Sequence, residues 1–208
     1  MSNNGDTYIA GQKTVADWLA FRKRLTSSYD AELWNCAFQE YFLQRLEQRY
    51  LHPIKVLQKY GTWKGEGFSI LALQCTLVEF LESTFQGMNY RFVSRRSPDS
   101  HEYSQSSDIF VSFLCNRSPF TQEFNEKLAR EFYRSVRCGL LHEARTKDGW
   151  KVQAKSTDRK IVNGEKRIIY RNNFQKGLDE VIGWYGKTLP KDAKLQEGFI
   201  RKFDNLCS

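Results

Sequence analysis

The sequence predicts an all-α fold, a helical bundle carrying one small β-hairpin insertion after the helix of residues 124–140. Apolar residues recur at three- and four-residue steps along most of the 208 positions, the signature of amphipathic helices. Alternating apolar residues and an Asn-Gly turn signal gather in the short region 150–171, which places the hairpin there. Apolar residues make up 40% of the chain and aromatics 14%, enough for a substantial core in one domain or two small ones. There is no internal repeat and no heptad run.

The elements follow in order. Residues 1–29 read as an arm with a short amphipathic helix, capped by Thr14 and bearing Val15, Trp18, Leu19 and Leu25. The main domain runs over 30–208. A longer helix begins near Asp30, with Leu33, Trp34, Ala37, Phe38, Tyr41, Phe42 and Leu46 on its buried face, until Pro53 stops or kinks it. Gly61, Gly65 and Gly67 mark a turn. The stretch 68–85 is apolar on nearly every side, so its helix belongs inside the bundle. Glu79 falls in the most apolar part of that helix. A buried carboxylate is costly unless paired, so Glu79 faces a cation, with Arg137 the candidate, or else emerges on a narrow polar side with Glu82 and Gln86.

Residues 94–107 are serine-rich and polar and read as a loop, with His101 solvated. Periodicity does not settle the type of 109–114. Thr121 is placed as the cap of the next helix, whose apolar positions are Phe124, Leu128, Phe132, Val136 and Leu140. Beyond the hairpin, Asn172 or Asn173 caps a helix with Phe174, Leu178, Val181, Ile182, Tyr185 and Leu189 on one face. A final helix carries Leu195, Phe199, Phe203 and Leu206.

The net charge of +8 points towards polyanionic partners. Arg130, Arg134, Arg137, Arg145, Lys147 and Lys151 crowd around the helix of 124–140. No run of eighteen apolar residues occurs, so no membrane span is expected, and the first residues lack the apolar core of a secretory signal. Five scattered cysteines without a Cys-x-x-Cys pair suit free thiols in a reducing cytoplasm. His52, His101 and His142 stand apart, and only Cys138 and His142 share a metal-ligand spacing, so neither metal nor cofactor is expected.

The chemistry concentrates in FYRSVRCGLLHEART, residues 132–146, where Arg137 and His142 are separated by four positions. An all-helical chain with Arg-x4-His on a late helix resembles the HEPN superfamily of ribonucleases and nucleotide-binding proteins. The resemblance covers roughly 30–206, with the serine loop and hairpin as insertions, and Arg137 and His142 match the two fixed motif positions. Cys138 departs from it, because the family favours Asn, His or Gln there.

The resemblance implies a HEPN-type bundle that cuts RNA without metal as a homodimer, and that acts in RNA processing or in bacterial defence beside an antitoxin or operon partner. Histidine titrates near neutrality, so His142 suits general acid–base work on the ribose 2′-OH or the leaving oxygen. The forked, always-charged guanidinium of Arg137 suits the anionic transition state, with Glu79 supporting it. Arg130, Arg134, Arg145 and Lys147 are the candidate RNA contacts. On a regular helix, residues five apart diverge by about 140°, so a bend at Gly139 or a second copy has to bring the two motif groups together. Three other readings stay open: a catalytically silent HEPN module binding RNA, nucleotide or protein; a thiol enzyme using Cys138 and His142; and an interaction protein.

Overall fold

The computed structural model describes residues 7–27, 30–62, 64–92 and 98–208. Among these the chain is predominantly helical, with seven helices and three small sheets. It divides into two compact units. One comprises residues 1–53, 83–104 and 184–208, the other residues 54–82 and 105–183.

In the first unit, strands β1 (Tyr8–Ala10) and β2 (Lys13–Thr14) form a tight hairpin that leads into helix α1 (Val15–Ser27). Thr14 and Asp17 cap that helix reciprocally: the Thr14 hydroxyl accepts from the Asp17 amide at 3.2 Å, and the Asp17 carboxylate accepts from the Thr14 amide at 2.8 Å. The buried stripe is Val15, Trp18, Phe21 and Leu25, while Leu19 is half exposed. The helix does not stand apart as an arm, because Trp18 donates to Asp204 at 2.9 Å and packs 5.3 Å from Phe203 on helix α7 (Ala193–Leu206).

Helix α2 covers residues 31–60, and its Asp30 cap accepts from the Glu32 amide at 2.8 Å. Pro53 neither stops nor sharply ends it. A π-helical turn over Glu47–Leu51 precedes the proline, and α-helix resumes over His52–Tyr60. The widened turn makes room for a ring that lacks an N–H and would crowd the carbonyl four residues back. Phe38, Phe42 and Tyr185 pack together in this unit's core, with Phe199 and Phe203 stacked 4.4 Å apart. The polar loop of 94–107 is only partly a loop: residues 94–97 lie outside the described set, Glu102–Tyr103 pairs in parallel with Asn89–Tyr90, and Ser106 already opens the next helix. These two short strands are β3 (Asn89–Tyr90) and β4 (Glu102–Tyr103).

The second unit is built on most of helix α3 (Glu66–Gln86), helix α4 (Ser106–Asn116), helix α5 (residues 126–143) and the first part of helix α6 (Arg171–Thr188). By length and composition α3 is apolar enough to cross a membrane, yet most of it is buried within the protein. The ambiguous segment 109–114 is helical, with Ile109, Phe110, Val111, Phe113 and Leu114 all buried. Asn125, not Thr121, caps α5, accepting from the Leu128 amide at 2.9 Å; Thr121 belongs to a 3-10 turn just before it. Helix α6 starts at Arg171, so Asn172 and Asn173 sit in its first turn instead of capping it.

The hairpin region of 150–171 holds three strands. Strands β6 (Val162–Asn163) and β7 (Ile168–Tyr170) are antiparallel, and β5 (Lys151–Gln153) adds to β7 in parallel. The turn spans residues 164–167, with Asn163 accepting from the Lys166 amide at 2.9 Å and Arg167 taking the positive φ. The Glu123 carboxylate accepts from the amides of Ile161 and Val162, fastening the sheet to the turn that precedes α5. Phe120, Phe132 and Phe174 fill the core beneath, with ring centroids 5.0–6.0 Å apart.

Candidate functional site

Helix α5 presents the Arg-x4-His pair, and its backbone is not uniform. A π-helical turn covers Tyr133–Arg137, and ordinary α-helix follows over Cys138–Glu143 until Ala144 ends it with a left-handed residue. Apolar positions spaced at four residues drift off a 3.6-residue helix by about 40° per step. The wider π turn absorbs that drift, and Phe132, Val136 and Leu140 all remain buried.

Arg137 closes the π turn. Its guanidinium donates to the Glu79 carboxylate at 2.9 Å, and the two side chains are each only 16% exposed. Glu79 also accepts from the Ser106 hydroxyl at 2.6 Å. Tyr133, one π turn earlier, lies under the guanidinium with its ring centre 5.2 Å away. Burial pushes the Tyr133 hydroxyl up to about 12, against the opposing pull of Arg137. Burial works against the charge on Arg137, but Tyr133 and Glu79 outweigh it, and the pKa is raised. The guanidinium is therefore a fixed, permanently charged group in a half-buried setting.

His142 occupies the last turn of the same helix and is exposed. Regular α-helix runs from Cys138 through it, so its side chain departs from Arg137 by about 140° around the axis, and the structure does not bring the two together within one chain. Gly139 lies within the α-helical stretch Cys138–Glu143. A Cβ there would lie 2.5 Å from the Arg145 carbonyl, so glycine lets the returning chain pass close by. That return is anchored where the Lys147 amide donates to the Ser135 carbonyl at 2.8 Å.

The four expected RNA contacts all sit on the surface around α5, but each is already engaged. Arg130 pairs with Glu126 at 2.9 Å, Arg134 approaches Asp148 at 3.8 Å, and Arg145 and Lys147 both pair with Glu143. Cys138 is half-buried beside Tyr133, whereas the fully buried Cys75 thiol is pushed up to about 12 by desolvation. Among the described residues, no three His, Cys, Asp or Glu side chains gather as a metal-binding set.

Two features of this unit were not anticipated. Glu82 is more deeply buried than Glu79 and pairs with Arg117 at 2.8 Å while accepting from Ser112 at 2.8 Å. Its place three residues after Glu79 on an apolar helix was the available signal. The second is a cleft of about 370 Å³ beside strand β5, lined by Gly61, Gly65, Gly67, Phe68, Val152 and Arg171 among others. Three glycines spaced within seven positions marked the loop but not the cleft.

Comparison with protein-family models, with curated proteins and with solved structures gave no match to this chain.

Proposed function

We propose that this chain is a metal-independent endoribonuclease of the HEPN type. The Glu79–Arg137 pair carries the reading: an apolar helix devotes a carboxylate to holding one arginine of the motif in a fixed pose. Held there, Arg137 offers forked donors to a phosphate whose charge grows in the transition state. His142, exposed on the helix's last turn, moves a proton to or from the ribose 2′-OH or the leaving 5′-oxygen. A substrate-assisted cleavage of this kind needs a base, an acid and a charge stabiliser, and these side chain types supply all three. Because the two groups diverge on one helix, the working site is completed by a second copy related by a two-fold axis. Cytoplasmic RNA is the substrate, and an antitoxin or operon-encoded protein is the expected regulator.

The test is incubation of the pure protein with mixed RNA in excess EDTA, alongside His142→Ala. Cleavage by the wild type and none by the variant supports the reading. Equal cleavage by both removes the activity from this site. A second reading, a silent HEPN module that binds without cutting, draws on Cys138 and on the ion-paired state of Arg130, Arg134, Arg145 and Lys147. It predicts RNA binding without cleavage in the same assay.

A further inference from the structure

The cations near the motif are committed to surface carboxylates, and a different part of the second unit carries a denser cationic segment. Residues 150–171 contain seven Lys or Arg (Lys151, Lys155, Arg159, Lys160, Lys166, Arg167 and Arg171) against Asp158 and Glu165, a net +5 within a chain of net +8. Among the described residues, Lys151, Lys155, Arg159 and Lys166 form no ion pair. Strand β5 is an edge of its sheet, paired only with β7. Exposure alternates along 151–155, with Lys151, Gln153 and Lys155 outward and Val152 and Ala154 half-buried, so the two lysines share a face with an amide between them.

Against that edge lies the cleft of about 370 Å³. Its walls are chemically mixed. Phe68 is 40% exposed, Gln153 is exposed, and Gln58 and Arg171 both donate to the Asn172 side-chain oxygen, at 3.2 and 2.8 Å. The glycines shape it. Gly65 takes φ +121, which side chains rarely adopt. A Cβ on Gly67 would sit 3.4 Å from Arg171 Nε and 3.5 Å from Val152, ordinary van der Waals contact, so the first turn of α3 already lies close to both. The carboxylate of Glu66 is occupied at home, accepting from the Thr62 and Lys64 amides. Glu66 also lines the cleft and supports the charge of Arg171, so the arginine is answered within the protein and the open cations lie along β5.

We propose that this cleft and the β5 edge form a second, non-catalytic RNA site that holds one nucleotide of a single strand, its base on Phe68 and neighbouring phosphates on Lys151 and Lys155. The volume lies near the lower end of the roughly 300–1,000 Å³ of small-molecule sites, which suits one splayed nucleotide and not a duplex. An aromatic face flanked by a tracking row of cations is how single strands are held without sequence preference. That the strand is RNA rests on the ribonuclease reading, and the site would deliver substrate to the motif helix of the same unit.

The experiment is fluorescence anisotropy with a labelled twelve-nucleotide single-stranded RNA, carried out on the full chain bearing His142→Ala so that the probe stays intact. To this background we add Phe68→Ala, and separately Lys151→Glu with Lys155→Glu, all on exposed or half-exposed side chains. The expected result is a loss of affinity of about tenfold for Phe68→Ala and a larger, salt-dependent loss for the double charge reversal, whose dependence on log salt becomes shallower. Duplex RNA of the same length should bind more weakly and be indifferent to Phe68→Ala. Unchanged binding in both variants overturns the proposal. So does heparin competing equally with RNA while Phe68→Ala has no effect, because then the surface reads charge alone. Cleavage by the parent protein is scored separately. If it cuts no RNA while the cleft variants still lose binding, the nuclease reading falls and the cleft stands; if it cuts RNA and the cleft variants bind as the His142→Ala background does, the reverse holds.

Discussion

Arg137 reaches across 58 residues of sequence to donate to Glu79 at 2.9 Å, and neither side chain is more than 16% exposed. Removing one partner from such a pair leaves a poorly solvated charge behind, which is costlier than the pair itself is favourable. Glu79→Gln keeps the shape and the Ser106 contact but frees the guanidinium to swing. We expect RNA cleavage to fall by at least tenfold, with a stability loss of about 1–3 kcal/mol. Thermal melts and cleavage rates on one preparation check both numbers. Full cleavage with only a lowered melting temperature would make Glu79 purely structural.

The Glu82–Arg117 pair provides the control. It has the same residue types on the same helix, but Glu82 is fully buried and Arg117 lies outside the motif. Arg117→Met should destabilise by roughly 3–5 kcal/mol, because the buried Glu82 carboxylate loses its guanidinium. Cleavage per folded molecule should be unchanged. A specific loss of activity in Arg117→Met, measured well below its melting temperature, would show that ion pairs on α3 affect cleavage irrespective of the motif.

How much was legible beforehand divides along physical lines. Helical class and the buried character of α3 followed from periodicity, while the cost of burying an unpaired carboxylate offered Arg137 as one of two readings of Glu79, the one the 2.9 Å pair matches. The π turns did not, although the strict four-residue spacing from Phe124 to Leu140 held the clue: that spacing suits a turn wider than 3.6 residues. Pro53 was read as a breaker because propensity rules assume a regular helix before it. Leu19 was assigned inward where Phe21 is the buried residue, since a three-four spacing allows two neighbouring faces. The cleft beside β5 was invisible because its walls come from segments some ninety residues apart, and no local pattern records their meeting.

Gly139 and Gly183 predict opposite responses to the same substitution. At Gly139 a Cβ would lie 2.5 Å from the Arg145 carbonyl, a backbone atom that cannot yield cheaply. Gly139→Ala should cost about 1–3 kcal/mol and disturb the loop beside His142. At Gly183, exposed on α6, an added Cβ meets nothing within 4 Å. There alanine should stabilise by about 0.5–1 kcal/mol through helix propensity alone. Chemical denaturation of the two variants decides it, and a neutral Gly139→Ala would mean the returning chain is looser than this contact implies.

Alkaline stability should report the same region. Burial lifts the Cys75 thiol from 9.0 to about 12 and the Tyr133 hydroxyl from 10.0 to about 12. A raised folded-state value favours the neutral form in the fold, so the contribution is complete below the unfolded value and is lost as pH rises towards the folded one. Cys75 therefore erodes stability from about pH 9 and Tyr133 from about pH 10, each by up to about 1.4 kcal/mol per pH unit. Melting temperatures measured from about pH 8 to about pH 11 should fall, and Cys75→Val should make that fall shallower above about pH 9, where the raised thiols of Cys115 and Cys207 still contribute. An identical profile for that variant would assign the loss to other groups.

His142→Ala and Arg137→Ala should separate into two different failures. His142 is exposed on the last turn of α5, beside Leu141, which is itself 48% exposed, so truncation opens no cavity. Its stability change should stay within about 0.5 kcal/mol, as for surface positions generally. Removing a general acid–base group should nevertheless lower the cleavage rate by about 10²–10⁴ with little change in RNA affinity. Arg137→Ala strips the half-buried Glu79 of its guanidinium and Tyr133 of the cation above its ring. It should both destabilise the fold and abolish cleavage. Arg137→Lys restores a charge without the fork, so it should recover most of the stability but little of the rate. The two sets of kinetics, read with melting curves, assign proton transfer to His142 and anion stabilisation to Arg137. Wild-type cleavage by His142→Ala would leave Arg137 and Glu79 as a structural pair and make the silent binding module the better account.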